Sequence, residues 1–331
     1  MDRQVQTQLG SDMSTLHTGA KAPLPPLGQK KFNWSKHLKR YFWLYLFLLP
    51  GVVYLIIFKY IPMVGVLIAF EDYNNVRGVF GSPFVGLKHF RYLFESNEFY
   101  RVFANSLLLS LYRMAAGFPA PILLALLLNE IHSQGYKRVM QTILYLPHFI
   151  SWVVIYGILL SFVSPTTGIL NVLIMRFGGE PIPFMMSTKY FRGIVVLTDI
   201  WKGAGWGTVV YMASMAGIDP TYYEAAILDG AGRMKRILYV TLPMISGTII
   251  VMLILRVGSL LGNGFEQIFL MQNALNSEVS EVLETYTYKV GLREGRFSFS
   301  TAVGLFQSVV GFVLIFITNK LSRKFGEGGL W

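Results

Sequence analysis

Apolar residues run in long unbroken stretches along this chain, separated by shorter polar ones. Six stretches are long enough to cross about 30 Å of hydrocarbon as helices of roughly 20 residues each. They cover about 41–69, 103–128, 139–162, 193–216, 237–261 and 301–319. The pattern predicts an all-α polytopic membrane protein with both termini on one side. Pro62 predicts a kink in the first stretch, and Pro119 with Pro121 predicts a break in the second. Val279, Val282, Leu283, Tyr286 and Val290 recur at helical spacing, with Glu278, Glu281, Glu284 and Lys289 between them. That spacing predicts an amphipathic helix lying at the outer membrane interface.

Ahead of the first stretch, residues 1–29 are rich in Gln, Ser, Thr, Gly and Pro and predict a disordered tail. The apolar run begins only after Lys30, Lys31, Lys36, Lys39 and Arg40, so no signal peptide is expected. The resulting division is a tail over 1–40, a transmembrane region over 41–319 holding a polar loop at 217–243, and a second tail over 320–331.

Composition agrees with the pattern. Of 331 residues, 53% are hydrophobic and 14% charged, against about 25% charged in soluble domains. Cysteine is absent, which excludes disulfides and thiolate metal sites. No CxxC, HExxH or GxxxxGKS/T pattern occurs, so the chain is expected to hold neither metal nor nucleotide and to catalyse nothing by itself.

The net charge of +11 would suit a nucleic acid, but its distribution points elsewhere. The two tails and the 129–138 and 217–236 loops carry fifteen Lys and Arg against seven acids, whereas the 71–102, 163–192 and 262–300 loops carry ten of each. By the positive-inside rule the first set is cytoplasmic and the second faces outward. The charge is then topology, and no nucleic-acid partner is expected.

Lys59, Arg113, Lys202 and Arg256 remain inside the apolar stretches, opposed by Asp199 alone. Charges at membrane depth usually face a bundle interior or a wet cavity. Lys59 can snorkel to the interface, and Asp199 with Lys202, one helical turn apart, are placed to neutralise each other. Surplus positive charge would suit an anionic substrate. Candidate substrate-path residues are Arg113, Tyr145, His148, Trp152, Trp201, Lys202, Trp206 and Arg256; packing or interfacial anchoring explains each of the aromatic ones about as well. Gly203 with Gly207, and Gly258 with Gly262, are GxxxG pairs that permit close helix approach.

The polar loop carries the most specific chemistry. Asp219-Pro220 starts a helix, Glu224 offers a carboxylate beside Ala225 and Ala226, and Gly230 ends the helix. A small knob fitted to a cleft in another protein accounts for these residues. A polytopic membrane enzyme would need a carboxylate pair or histidine cluster, yet His17, His37, His89, His132 and His148 are scattered. An ion-coupled secondary transporter would usually show buried acids and two related halves, and Asp199 is the single carboxylate inside a stretch.

Glu224-Ala225-Ala226, Gly230 and Val240-Thr241-Leu242-Pro243 resemble the EAA loop of binding-protein-dependent ABC importer permeases. The resemblance extends to Leu128–Glu130, Tyr145–Val153, Ile200–Trp206, Gly264–Gln267, Thr285–Gly291 and the closing Gly329-Leu330-Trp331, which are similar to the oligosaccharide and polysaccharide branch, alginate importers among it. It covers about residues 40–331. It implies a type I importer fold in the bacterial inner membrane, working by alternating access. It implies a second permease subunit of a different chain, two ATPase subunits that bind ATP and Mg, an external solute-binding protein and a carbohydrate substrate. Glu224, Ala225, Ala226, Asp229 and Gly230 would form the coupling helix seated in an ATPase subunit.

Overall fold

The computed structural model describes residue 37 and residues 39–324. The tail expected over 1–29 and the closing Gly329-Leu330-Trp331 lie outside the described residues. The described chain is mostly helical, with one isolated antiparallel bridge between Glu71 and Phe84 and no strand. It divides into two compact units at Ile61 and Pro62.

Helix α1, Phe42–Phe70, is apolar on every face over Phe42–Leu55, where no residue is buried, and carries Lys59 beyond it. A helix apolar all round belongs in a core or a membrane. Its regular hydrogen bonding lapses into a π-helical turn at Ile56–Tyr60 and a 3-10 stretch at Val64–Phe70, on either side of Pro62, where proline removes a donor.

After α2, Lys88–Glu95, helix α3 runs from Asn97 to Asn129, started by Ser96, whose hydroxyl accepts from the Phe99 N–H at 3.3 Å. The break expected at Pro119 and Pro121 is absent. A π-helical turn at Arg113–Gly117 takes up the offset, and Pro119 then occupies the first position of the next α-helical stretch, where its missing N–H costs little.

Helices α4, Gln134–Phe149, and α5, Trp152–Val163, are bent by 101° at Ile150 and Ser151. Ser151 caps α5 through the Val154 N–H. α6, Ile169–Arg176, leads to α7, Thr188–Ala216. Then come α8, Pro220–Leu228, and the pair α9, Arg233–Met244, and α10, Ser246–Gly258, bent by 62°. The chain closes with α11, Phe265–Met271, α12, Ser277–Ser280, α13, Leu283–Tyr288, and α14, Phe297–Lys324.

By length and composition α1, α3 and α14 can each cross a membrane, and the count rises to five if each bent pair is one span. The sequence pattern predicts six. The remaining stretch lies in α7, whose 29 residues reach about 43 Å at 1.5 Å per residue; Asp199, Lys202 and its glycines dilute its apolar character.

No single amphipathic helix covers 279–290. The backbone is extended at Glu281 and Val282, separating α12 from α13. Val282, Leu283, Tyr286 and Val290 are buried against Leu93, Phe99 and Phe299 or against Leu109 and Ile268 rather than laid on an interface. Glu281 is buried with them and paired to Arg101 at 2.8 Å and Lys289 at 3.2 Å.

Glycines set the closest helix approaches. A Cβ on Gly205 would overlap the Leu144 carbonyl, and one on Gly311 would stand 2.7 Å from the Gly258 carbonyl. Gly207 likewise faces Pro121. Of the expected GxxxG pairs, Gly207 and Gly258 thus serve packing within the chain; Gly203 faces open space, and Gly262 lies beyond the end of α10.

Candidate functional site

Two places gather the sequence candidates. The first is where α3, α7 and α10 meet. Asp199 Oδ2 lies 3.7 Å from Arg256 Nη2 and 3.9 Å from Arg113 Nε. Arg113 is buried and donates to the Asn263 carbonyl and to Gln267 Oε1. Gln267 in turn donates to the Val195 carbonyl at 2.9 Å and to Thr198 Oγ1 at 2.8 Å. Arg113 is therefore fixed by neutral acceptors, whereas Arg256 is half in solvent and borders a cleft of about 360 Å³ with Asp199, Phe118, Gly203, Gly207 and Tyr211.

The expected Asp199–Lys202 pair does not form. Lys202 turns to the α4–α5 bend, donating to the carbonyls of His148 at 2.9 Å and Ile150, with its Nζ 5.4 Å from the Trp152 ring centroid. The bend leaves carbonyls without helical partners, and a cation that supplies several donors satisfies them. Asp199 is thus released to the two arginines.

Beside the bend, His148 stacks on Trp206, with ring centroids 4.9 Å apart and planes 7° apart, and Tyr145 meets the same indole edge-on at 6.2 Å. Tyr145 also accepts a hydrogen bond from Thr208 at 3.4 Å. Trp201 is exposed and stands apart from this group. The structure brings together Tyr145, His148 and Trp206, and Arg113 with Arg256. The sequence does not mark Asp199, Asn263 and Gln267 as members of the cluster, although Gly264–Gln267 stands out in it as a motif. Gly264 takes a φ of +71° there, which places Gln267 one turn into α11.

The second place is α8. Asp219 caps it, accepting from the Thr221 N–H at 2.9 Å and the Thr221 hydroxyl at 2.8 Å. These two bonds hold its carboxyl below the usual range. At the other end Gly230 has a φ of +75°, its N–H donates to the Ile227 carbonyl at 3.0 Å, and the Ala231 N–H reaches the Ala226 carbonyl at 2.9 Å. This paired closure is a Schellman motif. Glu224, Ala225, Asp229 and Gly230 are exposed, Ala226 partly so, and Tyr222, Ile227 and Leu228 also face outward. The Tyr223 hydroxyl, 3.1 Å from Thr241 Oγ1, ties the helix to α9.

Among the described residues no group of three or more His, Cys, Asp or Glu could hold a metal ion.

Residues 117–327 match the family described as binding-protein-dependent transport system inner membrane component. The chain is 47% identical over 319 residues to Protein LplB of Bacillus subtilis (strain 168), covering 96% of this chain and 100% of that one. It is 46% identical over 289 residues to the polygalacturonan/rhamnogalacturonan transport system permease protein YteP of the same organism, covering 87% and 90%. A crystal structure of a bacterial alginate ABC transporter, in complex with alginate pentasaccharide-bound periplasmic protein, contains a chain that aligns with a TM-score of 0.82 at 40% identity. The alignment covers 89% of this chain and 99% of that one.

Proposed function

Because this chain belongs to the family of binding-protein-dependent transport system inner membrane components, we propose that it is one permease half of an ATP-driven importer of acidic oligosaccharides or polysaccharides. It spans the membrane six times, with α7 counted as a span, and both termini and α8 face the cytoplasm. A second permease chain completes the path, two ATPase subunits hold ATP and Mg, and an external solute-binding protein delivers the sugar. The relatives' substrates, polygalacturonan, rhamnogalacturonan and alginate, support an anionic ligand.

The observation that carries this reading is α8. A nine-residue helix, capped at both ends and exposed on most of its surface, is held between α7 and α9 with its Glu224 carboxylate free of any partner among the described residues. A rigid helix tied to α9 and free on its outer face is a lever: closure of an ATPase dimer around Glu224, Ala225, Ala226, Asp229 and Gly230 moves α7 and α9 as bodies and switches the access of the path. Substrate passes the Arg113–Asp199–Arg256 cluster and the Tyr145, His148, Trp206 group. There Arg256, the arginine that borders the cleft, selects for carboxylates, Arg113 behind it adds positive charge, and the rings stack on sugar faces. Lys202 and Trp152 shape the bend that holds His148, and Trp201 contacts lipid or the second permease.

Glu224→Lys tests the lever. Co-purification of ATPase subunits and stimulation of their ATPase should both be lost while membrane insertion is unchanged; normal coupling removes the docking role. Sugar transport by the chain in liposomes without any ATPase subunit would reject the importer reading itself.

A further inference from the structure

Between α1 and α2 the chain makes a hairpin that the transport cycle above does not use. The N–H groups of Val85 and Gly86 donate to the Phe70 carbonyl at 2.8 and 3.1 Å, and the Asp72 N–H donates to the Pro83 carbonyl at 3.0 Å. These bonds fix the returning segment beside the last residue of α1. At the tip, Asn74 Oδ1 accepts from the Val76 N–H at 2.9 Å. Ser82 Oγ accepts from the Asn74 N–H at 3.0 Å and donates to the Gly78 carbonyl at 2.7 Å.

A loop tied this thoroughly nonetheless presents large apolar side chains outward. Val76 is 94% exposed, Phe80 89%, Phe84 74% and Leu87 68%. Arg77 and Arg91 are exposed among them, and neither has a carboxylate within ion-pair distance among the described residues. Lys88, by contrast, is paired with Asp72 at 2.6 Å.

We propose that this hairpin is an interfacial anchor, with Phe80, Phe84 and Leu87 at the headgroup–acyl boundary and Arg77 and Arg91 on lipid phosphates. Continuity with α1 favours lipid as the occupant, since the returning segment is hydrogen-bonded to the residue at which a membrane-crossing helix ends. Chemistry favours it too. Aromatic and apolar side chains interleaved with unpaired arginines match a surface that is oily below and anionic above. A protein that docks and leaves would expose the same four side chains to water for part of every cycle, whereas lipid covers them throughout. The proposal rests on α1 being a span, not on the substrate.

The chain has no cysteine, so Phe80→Cys introduces a unique site for a nitroxide label. The labelled complex, with cysteine-free partner subunits, is reconstituted in vesicles of phosphatidylcholine alone and of phosphatidylcholine with phosphatidylglycerol. Collisions with oxygen should exceed those with a water-soluble nickel chelate several-fold, relative to a label in water, in both vesicles. Arg77→Gln with Arg91→Gln should shift that ratio back toward the aqueous value, and a larger shift with phosphatidylglycerol identifies anionic headgroups as the preferred source of phosphate. A label as accessible to the chelate as in water, or shielded only when the solute-binding protein is added, overturns the proposal. Val76→Cys repeats the measurement if the first variant fails to assemble. Leu48→Cys in α1 separates the causes: if that label too is aqueous, the membrane reading fails rather than the hairpin.

Discussion

Gly230 offers the sharpest test of the lever, because its substitutions separate backbone strain from crowding. Its φ of +75° lies in the left-handed region, and a Cβ built there meets nothing within 4 Å. An L-residue at this position therefore costs conformational strain alone, about 1–2 kcal/mol, which lowers the population of the capped helix end about 5- to 30-fold. Asn tolerates the left-handed region better than Ala, and β-branched Val tolerates it least. In the reconstituted complex, ATPase stimulation by the loaded solute-binding protein should fall in the order Gly230, Gly230→Asn, Gly230→Ala, Gly230→Val, at equal membrane insertion. Volume would place Ala ahead of Asn. An order that follows volume, or four equal rates, refutes the claim that the Schellman closure positions the coupling helix.

The other predictions concern the path, the packing and the N-cap. Arg256→Gln should weaken uptake of an acidic oligosaccharide more than that of a neutral one, and equal loss would return Arg256 to a structural role; Arg113→Gln should also lower thermal stability, because Arg113 is buried. Asp199→Asn removes the anion between two arginines and should cost about 2 kcal/mol in thermal unfolding, less than the 3–5 of a fully buried pair, since Arg256 is half exposed. Gly205→Val should lower stability by about 1–3 kcal/mol by forcing α7 from the Leu144 carbonyl, whereas Gly203→Ala, which faces open space, should be tolerated. Asp219, held below the usual carboxylate range by Thr221, contributes its cap fully above its unfolded value near 4 and loses it only as pH falls through the lowered value. Stimulated ATPase should then owe no pH dependence between 6 and 8 to this residue. Asp219→Ala should reduce coupling at pH 7, and Asp219→Asn should largely preserve it.

Much of α8 was legible in the chain itself, because its signals are local. Asp219-Pro220 and Gly230 act within one turn of where they stand, so the ends of α8 fall where the sequence puts them. The motif around Gly264–Gln267 was visible as a pattern but not as a cause: Gln267 matters by accepting from Arg113, 154 positions away.

Hydropathy determined that this is a helical membrane chain and located its apolar stretches, since burial in lipid depends on composition over some twenty residues and little else. Which charge meets which was decided by tertiary structure. Asp199 and Lys202 are neighbours along α7, yet the 101° bend between α4 and α5 presents unsatisfied carbonyls that capture the lysine and leave the aspartate to arginines from α3 and α10. In the same way, the period of Val279–Val290 reads as a surface helix, but an extended break at Glu281 and Val282 turns those side chains into the core. Side-chain pairing here goes to whichever partner best satisfies an otherwise orphaned group, and only the folded backbone determines which groups those are.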